Sequence, residues 1–172
     1  SGGEQGARAC RGGALRVWQA ARAEMWGEWV WHKGGVQSVT WSPNGQQLAS
    51  AGLDGSLRVW DAVSGETLRV LDGHELGVQS VAWSLDGGQL VSAGDDGTLR
   101  LWDAVSGQML RVLEGHQGGV QSVAWSPNGG QLASAGMDGT LRVWQTDGQE
   151  LLRMRMLDID RTRGLSLVMR DK

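Results

Sequence analysis

Short segments of the chain mix apolar and polar residues with a period close to two. Residues 120–126 (VQSVAWS), 131–136 (QLASAG), 140–144 (TLRVW) and 108–115 (QMLRVLEG) each have the length and pattern of a half-buried strand. The stretches between them, PNGG at 127–130 and MDG at 137–139, have turn composition. No segment of helical period competes, so the pattern predicts four short antiparallel strands joined by tight turns.

The same pattern recurs along the chain every 42 residues. Residues 74–102 and 116–144 are identical at 22 of 29 positions. A third copy precedes them, and a degenerate fourth copy, the worn unit, lies before that one. The recurring anchors are histidines and tryptophans: His32, His74 and His116, then Trp41, Trp83 and Trp125, then Trp18, Trp60, Trp102 and Trp144. Four strands in each 42-residue unit predict an all-β fold built of propeller blades.

The anchors also carry a resemblance to a known family. Gly-His pairs end at His74 and His116, a turn aspartate follows in each unit, and Trp-Asp pairs begin at Trp60 and Trp102. In these features the chain resembles the WD-repeat (WD40-type) β-propeller family. The resemblance implies a degenerate partial repeat at 1–31, full repeats at 32–73, 74–115 and 116–157, and a tail at 158–172 that contains a candidate closing strand.

The strand count predicts self-association. Three strands from the worn unit, twelve from the full units and one from the tail make about four blades. A four-bladed ring lies at the bottom of the known range, so we expect two chains to form one eight-bladed ring, a homodimer, in preference to a four-bladed monomer or an open partial array. The candidate residues for self-association are Trp26, Trp29, Trp31, Leu165, Leu167 and Met169. The tryptophan-rich stretch is either such a contact with another chain or a packing patch that compensates for the degenerate unit.

Each full unit repeats an aspartate, a histidine, a serine and a tryptophan. Their chemistry suits a relay in which Trp donates to Ser, Ser to His, and His to Asp. In the family this tetrad ties the histidine loop to the inner strands. The tetrads are Asp54, His32, Ser50 and Trp60; Asp96, His74, Ser92 and Trp102; Asp138, His116, Ser134 and Trp144.

A Ser-His-Asp hydrolase is the remote alternative, since the same side chains serve in nucleophilic catalysis. Against it, the set occurs three times, and each serine lies inside a predicted strand rather than on an exposed elbow. We therefore expect no catalytic residues, no enzyme activity and no cofactor. The three histidines lie one blade apart, too far for one ligand sphere, so no metal site is expected.

The resemblance places partners on the face around the central channel. The corresponding positions are Gly35, Gln37, Leu53, Gly77, Gln79, Asp95, Gly119, Gln121 and Met137. The glutamines are uniform and the glycines offer no side chain, so the variety lies in Leu53, Asp95 and Met137. This variety is either drift on an idle surface or a selective rim. The expected function is a scaffold that binds an unidentified protein or peptide.

Charge argues against nucleic acid as the main partner. The net charge is −3, and it is uneven: six basic and three acidic residues from Leu151 onward leave −6 on the rest. Polyanion binding through the basic tail is the alternative function, carried by Arg153, Arg155, Arg161, Arg163, Arg170 and Lys172. No apolar run approaches ~18 residues, so no membrane span is expected. No signal-peptide pattern is present, and the cytoplasm is the expected compartment.

Overall fold

The computed structural model describes residues 5–9, 14–19, 24–30 and 32–155. In this part of the chain every regular element is a β-strand and every pairing is antiparallel. Across the same residues, no helix has the length and apolar character needed to cross a bilayer. The all-β class predicted from the strand pattern is confirmed.

The strands form four sheets in chain order. Sheet 1 has three strands: β1 (Gln5–Ala9), β2 (Ala14–Gln19) and β3 (Glu24–Val30). Sheet 2 has four: β4 (Val36–Trp41), β5 (Gln47–Gly52), β6 (Ser56–Asp61) and β7 (Thr67–Asp72). Sheet 3 consists of β8 (Val78–Trp83), β9 (Gln89–Gly94), β10 (Leu99–Asp103) and β11 (Met109–Leu113). Sheet 4 consists of β12 (Val120–Trp125), β13 (Gln131–Gly136), β14 (Thr140–Gln145) and β15 (Glu150–Arg155).

The core lies between successive sheets. One face of sheet 2, formed by small and branched residues such as Ala49, Ala51 and Val59, packs against Val81 and Trp83 of sheet 3. Sheet 3 repeats the arrangement against sheet 4. Trp83 is buried, whereas Trp41 and Trp125 are half-buried at the edges of their clusters. Small residues on one face leave room for large ones on the next, which holds the sheets together as stacked blades.

The far face of sheet 4 is not covered by any residue that the structure describes. Leu57 and Leu99 are fully buried in sheets 2 and 3, but Leu141, 42 residues after Leu99, is 41% exposed. Ala133 and Ala135 of the same face are exposed as well. Within the described residues, this face is therefore the one inter-blade surface of the three full sheets that lacks a neighbour.

Sheet 1 differs from the other three sheets in its number of described strands. In the three full sheets, an inner strand pairs with β5, β9 or β13, whereas β1 pairs only with β2 in the described part of the chain. The backbone of Trp26 and Trp29 lies in β3. Trp31 and residues 156–172, which include Leu165, Leu167 and Met169, fall outside the described residues. Closure of the blades into a ring stays a prediction.

Candidate functional site

A chain of buried hydrogen bonds links four parts of sheet 2. The indole N–H of Trp60 on β6 donates to Ser50 Oγ on β5 at 2.9 Å. Ser50 Oγ lies 2.8 Å from His32 Nε2, and His32 Nδ1 lies 3.0 Å from Asp54 Oδ1 in the β5–β6 turn. Because a carboxylate only accepts, Nδ1 carries the proton and Nε2 accepts from the serine. The loop before β4 is thus tied to the two strands at the centre of the blade.

Sheets 3 and 4 repeat this geometry closely. His74 Nε2 and His116 Nε2 each lie 2.7 Å from the serine oxygens of Ser92 and Ser134. Trp102 and Trp144 donate to those serines at 2.9 Å. Each histidine Nδ1 contacts its aspartate, at 2.9 Å to Asp96 Oδ2 and 3.1 Å to Asp138 Oδ1. The structure therefore brings together the four residues of every tetrad named from the sequence.

In each full blade, a serine or threonine hydroxyl also belongs to the network, and the sequence analysis missed it. Ser56, Thr98 and Thr140 donate to Oδ1 of their blade's aspartate at 2.7–2.8 Å. They also lie 3.2–3.4 Å from the histidine Nδ1. The sequence did contain a pattern that predicts this hydroxyl, because a serine or threonine recurs every 42 positions, two residues after the turn aspartate.

An arginine completes the network in two of the three blades. Arg100 Nη2 lies 3.4 Å from Asp96 Oδ2, and Arg142 Nη2 lies 3.4 Å from Asp138 Oδ2. Arg142 also donates to Glu150 Oε2 at 2.8 Å and lies over the ring of Trp144. The side chain of Arg142 is almost wholly buried, so these partners stabilise a charge that would otherwise be costly.

Burial and hydrogen bonding set the protonation states of the network. Burial lowers the pKa of His32 and of His74, and the neighbouring aspartates offset the effect only in part. Burial alone would raise the aspartate pKa values. The hydrogen bonds from histidine, hydroxyl and backbone N–H groups outweigh it and hold the pKa of Asp54, Asp96 and Asp138 below the ordinary value. A neutral imidazole beside an ionised carboxylate is the resulting state for His32 and His74.

The serine hydroxyls of the tetrads are poorly placed for attack on a substrate. Ser50 and Ser92 are fully buried, and Ser134 is buried almost as completely. Each serine oxygen already accepts from an indole N–H and contacts a histidine. A Cβ added at Gly52, Gly94 or Gly136 would overlap the histidine ring, so these glycines leave the space that the ring fills.

The nine positions expected to face a partner lie where β4, β8 and β12 begin and in the turns after β5, β9 and β13, and we call this region the rim. The three glycines among them, Gly35, Gly77 and Gly119, are buried. Here the backbone N–H of Leu53, Asp95 and Met137 donates to the carbonyl of Gly35, Gly77 and Gly119, respectively, at 2.8–3.0 Å. The rim thus consists of three equivalent pairs, one in each full blade. Leu53 is 43% and Met137 is 73% exposed. Gln37 and Gln121 are exposed, and Gln79 Nε2 donates to Asp95 Oδ2 at 2.7 Å.

Comparison with known families decides the classification of the chain. The family described as WD domain, G-beta repeat (WD40) matches residues 27–61, 65–103 and 107–145. The chain belongs to the WD40 family. No curated protein matches it. WD40 repeats serve in general as protein-interaction scaffolds.

The WD40 repeats and the sheets are out of phase, which explains how the blades are joined. The first matched repeat begins within β3 and ends with β6, so it supplies the outer strand of sheet 1 and three strands of sheet 2. The next two repeats are offset in the same way, supplying β7 to β10 and β11 to β14. Each WD40 repeat therefore links two neighbouring blades covalently.

Proposed function

We propose that this chain is a non-enzymatic scaffold that binds a protein or peptide partner at the rim around the propeller channel. The proposal rests on the positions at which the amino-acid sequences of the three full repeats differ. The tetrads are identical in the three full units, whereas the rim position before the turn aspartate is Leu53, Asp95 or Met137. These side chains are exposed or half-buried, so their variation changes the surface and leaves the core intact.

The proposal is tested by comparing two triple variants of the whole chain. Leu53→Ser/Asp95→Ser/Met137→Ser alters the rim, and Val63→Ser/Leu85→Ser/Val105→Ser alters exposed turns at the opposite ends of the strands. Partners captured from a lysate and quantified by mass spectrometry should be lost from the first variant and kept by the second. Equal capture by both variants would contradict the rim as the binding face.

We propose in addition that the tetrads have a structural role and no catalytic one. Support comes from their burial and from the repetition of one hydrogen-bond geometry in three blades. Hydrolase activity profiling of the wild type and His116→Ala should find no activity that depends on His116. A robust hydrolase activity that disappears in His116→Ala would favour an enzyme instead.

A second proposal concerns self-association, and the open face of sheet 4 favours it. Among the described residues, one inter-blade face of sheet 4 is exposed and β1 has a pairing partner on one side only. In the other blades an inner strand covers both of these surfaces. We propose that residues 158–172 supply this strand, through Leu165, Leu167 and Met169, and that two chains close one eight-bladed ring. The tryptophan-rich segment with Trp26, Trp29 and Trp31 would lie near that contact.

Light scattering at micromolar concentration tests the homodimer. The expected mass is twice that of the 18.4 kDa chain. A shortened chain ending at Asp160 should be monomeric if the tail strand closes the ring. A full-length chain that stays monomeric on concentration contradicts the dimer, and a shortened chain that dimerises equally well contradicts the role of the tail.

A further inference from the structure

The glycines of the rim create the space in which the side chains of neighbouring blades meet. A Cβ added at Gly77 would lie 3.1 Å from Leu53 Cδ2 and 3.2 Å from Asp95 Oδ2. A Cβ at Gly119 would lie 2.9 Å from Asp95 Oδ1 and 3.4 Å from Met137 Sδ. Leu53, Asp95 and Met137 therefore form one continuous strip across sheets 2, 3 and 4. We call it the rim strip.

The rim strip has an acidic centre and apolar ends. Leu53 and Met137 are exposed, and Leu76, directly before Gly77, is 56% exposed and adds apolar surface beside the centre. Asp95 is half-buried between them. An apolar surface interrupted by one carboxylate is selective, because it favours a cation at one place and apolar groups on either side.

Asp95 differs from the other aspartates of the turn region. Asp96 and Asp138 are each paired with a histidine and an arginine. Asp95 has no cation within ion-pair distance among residues 32–155, and its side-chain contact there is the amide of Gln79. That hydrogen bond leaves carboxylate lone pairs free and fixes the orientation of the group. A guanidinium or ammonium group is the ligand that such a carboxylate binds best.

We infer that the rim strip binds an extended peptide segment in which an arginine or lysine lies between two apolar side chains. This inference rests on the proposed scaffold function and names its partner. Neighbouring side chains of the strip are close enough for one Cβ, at Gly77 or at Gly119, to contact both of them. Side chains i and i+2 of an extended strand lie on one face ~7 Å apart, so successive side chains on that face can each contact one member of the strip. The expected pattern is therefore apolar-x-basic-x-apolar. Arginine suits the site better than lysine, because its planar group can bind both carboxylate oxygens.

Fluorescence anisotropy with three labelled peptides tests the inference. The probes are Gly-Ser-Leu-Ser-Arg-Ser-Leu-Ser-Gly, the same peptide with Gln for Arg, and the same peptide with Ser for both Leu residues. The full-length protein should bind the first peptide about tenfold or more tightly than either of the others, since a charge-assisted hydrogen bond at a half-buried site has that effect. No binding of the first peptide at millimolar concentration overturns the inference.

Variants of the protein separate the contribution of the Asp95 charge to peptide binding from the contribution of the shape of the rim strip. Asp95→Asn should remove the preference for Arg over Gln, and Gly77→Ala should weaken all binding because its Cβ enters the strip. Asp86→Asn, in an exposed turn at the opposite ends of the strands, should bind as the wild type does. A preference for Arg that survives Asp95→Asn overturns the inference.

The remaining outcomes distinguish the inference from the proposed function. Equal binding of the Arg and Gln peptides, with loss of both in Leu53→Ser/Met137→Ser, would keep the rim as a binding face and refute the basic partner. If the wild type binds no peptide until residues 161–172 are removed, the chain's own basic tail occupies the strip, and the inference of a separate partner is wrong. Thermal melts of every variant exclude unfolding as the cause of a loss.

Discussion

Replacing His74 by alanine probes the buried network of sheet 3 at its centre. The imidazole is fully buried and joins Ser92, at 2.7 Å, to Asp96, at 2.9 Å. His74→Ala removes both contacts and leaves a void between the loop before β8 and the strands β9 and β10.

The two former partners of His74 are affected unequally. Asp96 keeps the hydrogen bonds from the hydroxyl of Thr98 at 2.8 Å and from the backbone N–H groups of Thr98 and Glu75 at 3.1 Å. These donors continue to stabilise its negative charge. Ser92 keeps the indole N–H of Trp102, but its hydroxyl loses the acceptor at 2.7 Å. The acceptor that remains is the carbonyl oxygen of Arg100 at 3.5 Å, too long for a good hydrogen bond, in a site without solvent access. An unsatisfied buried donor costs about 1–3 kcal/mol. With the void added, we expect the free energy of unfolding to fall by about 2–4 kcal/mol.

Thermal unfolding followed by circular dichroism measures this loss. For a chain of this length the melting temperature should fall by about 5–12 °C. Leu85→Ala is the matched control, because Leu85 is 69% exposed in a turn of the same sheet and should leave the melting temperature nearly unchanged. The double variant His74→Ala/Ser92→Ala should lose less than the two single losses combined, since it also removes the orphaned hydroxyl. An unchanged melting temperature in His74→Ala, or strict additivity of the two losses, would refute this reasoning.

Three further predictions follow from the same geometry. Stability to urea should fall between pH 8 and pH 5, because burial lowers the pKa of His32 and of His74. The unfolded chain therefore takes up protons first as the pH drops through about 6.5. A second loss of stability should appear below about pH 4, because the pKa values of Asp54, Asp96 and Asp138 are also lower in the folded chain. A flat profile from pH 8 to pH 5 would disprove the histidine part. Gly94→Ala should destabilise strongly, because its Cβ overlaps the His74 ring. Gly130→Ala should not, because its Cβ makes only an ordinary contact with Asn128 at 3.8 Å; equal melting temperatures would contradict the overlap. Leu99→Ser should cost about 2 kcal/mol or more in urea unfolding, while Leu141→Ser at the same position of sheet 4 should cost less, unless the tail or a second chain covers that face.

The members of each tetrad could be predicted from the sequence because the information is repeated. His74, Ser92, Asp96 and Trp102 recur with identical spacing in the neighbouring units, and only one hydrogen-bond order suits their donors and acceptors. The hydroxyl of Thr98 was missed, since serine and threonine alternate at this position and neither is distinctive beside a turn aspartate. Arg100 was missed for another reason: its equivalent in sheet 2, Arg58, makes no ion pair with Asp54 in the described structure, so the recurrence of arginine does not predict the contact.

The sequence by itself determined what lies within one blade: the strands, the turns between them and the tetrad. All of these depend on direct contacts between residues fewer than 25 positions apart. The tertiary structure decided what lies between blades. That Leu53, Asp95 and Met137 form one strip depends on how closely neighbouring sheets pack at Gly77 and Gly119. The exposure of one face of sheet 4 within the described residues depends on what packs after that sheet. These properties arise from distances between residues about 42 positions apart, and such distances are set by side-chain packing across the blade interface, which no local pattern of apolar and polar residues encodes.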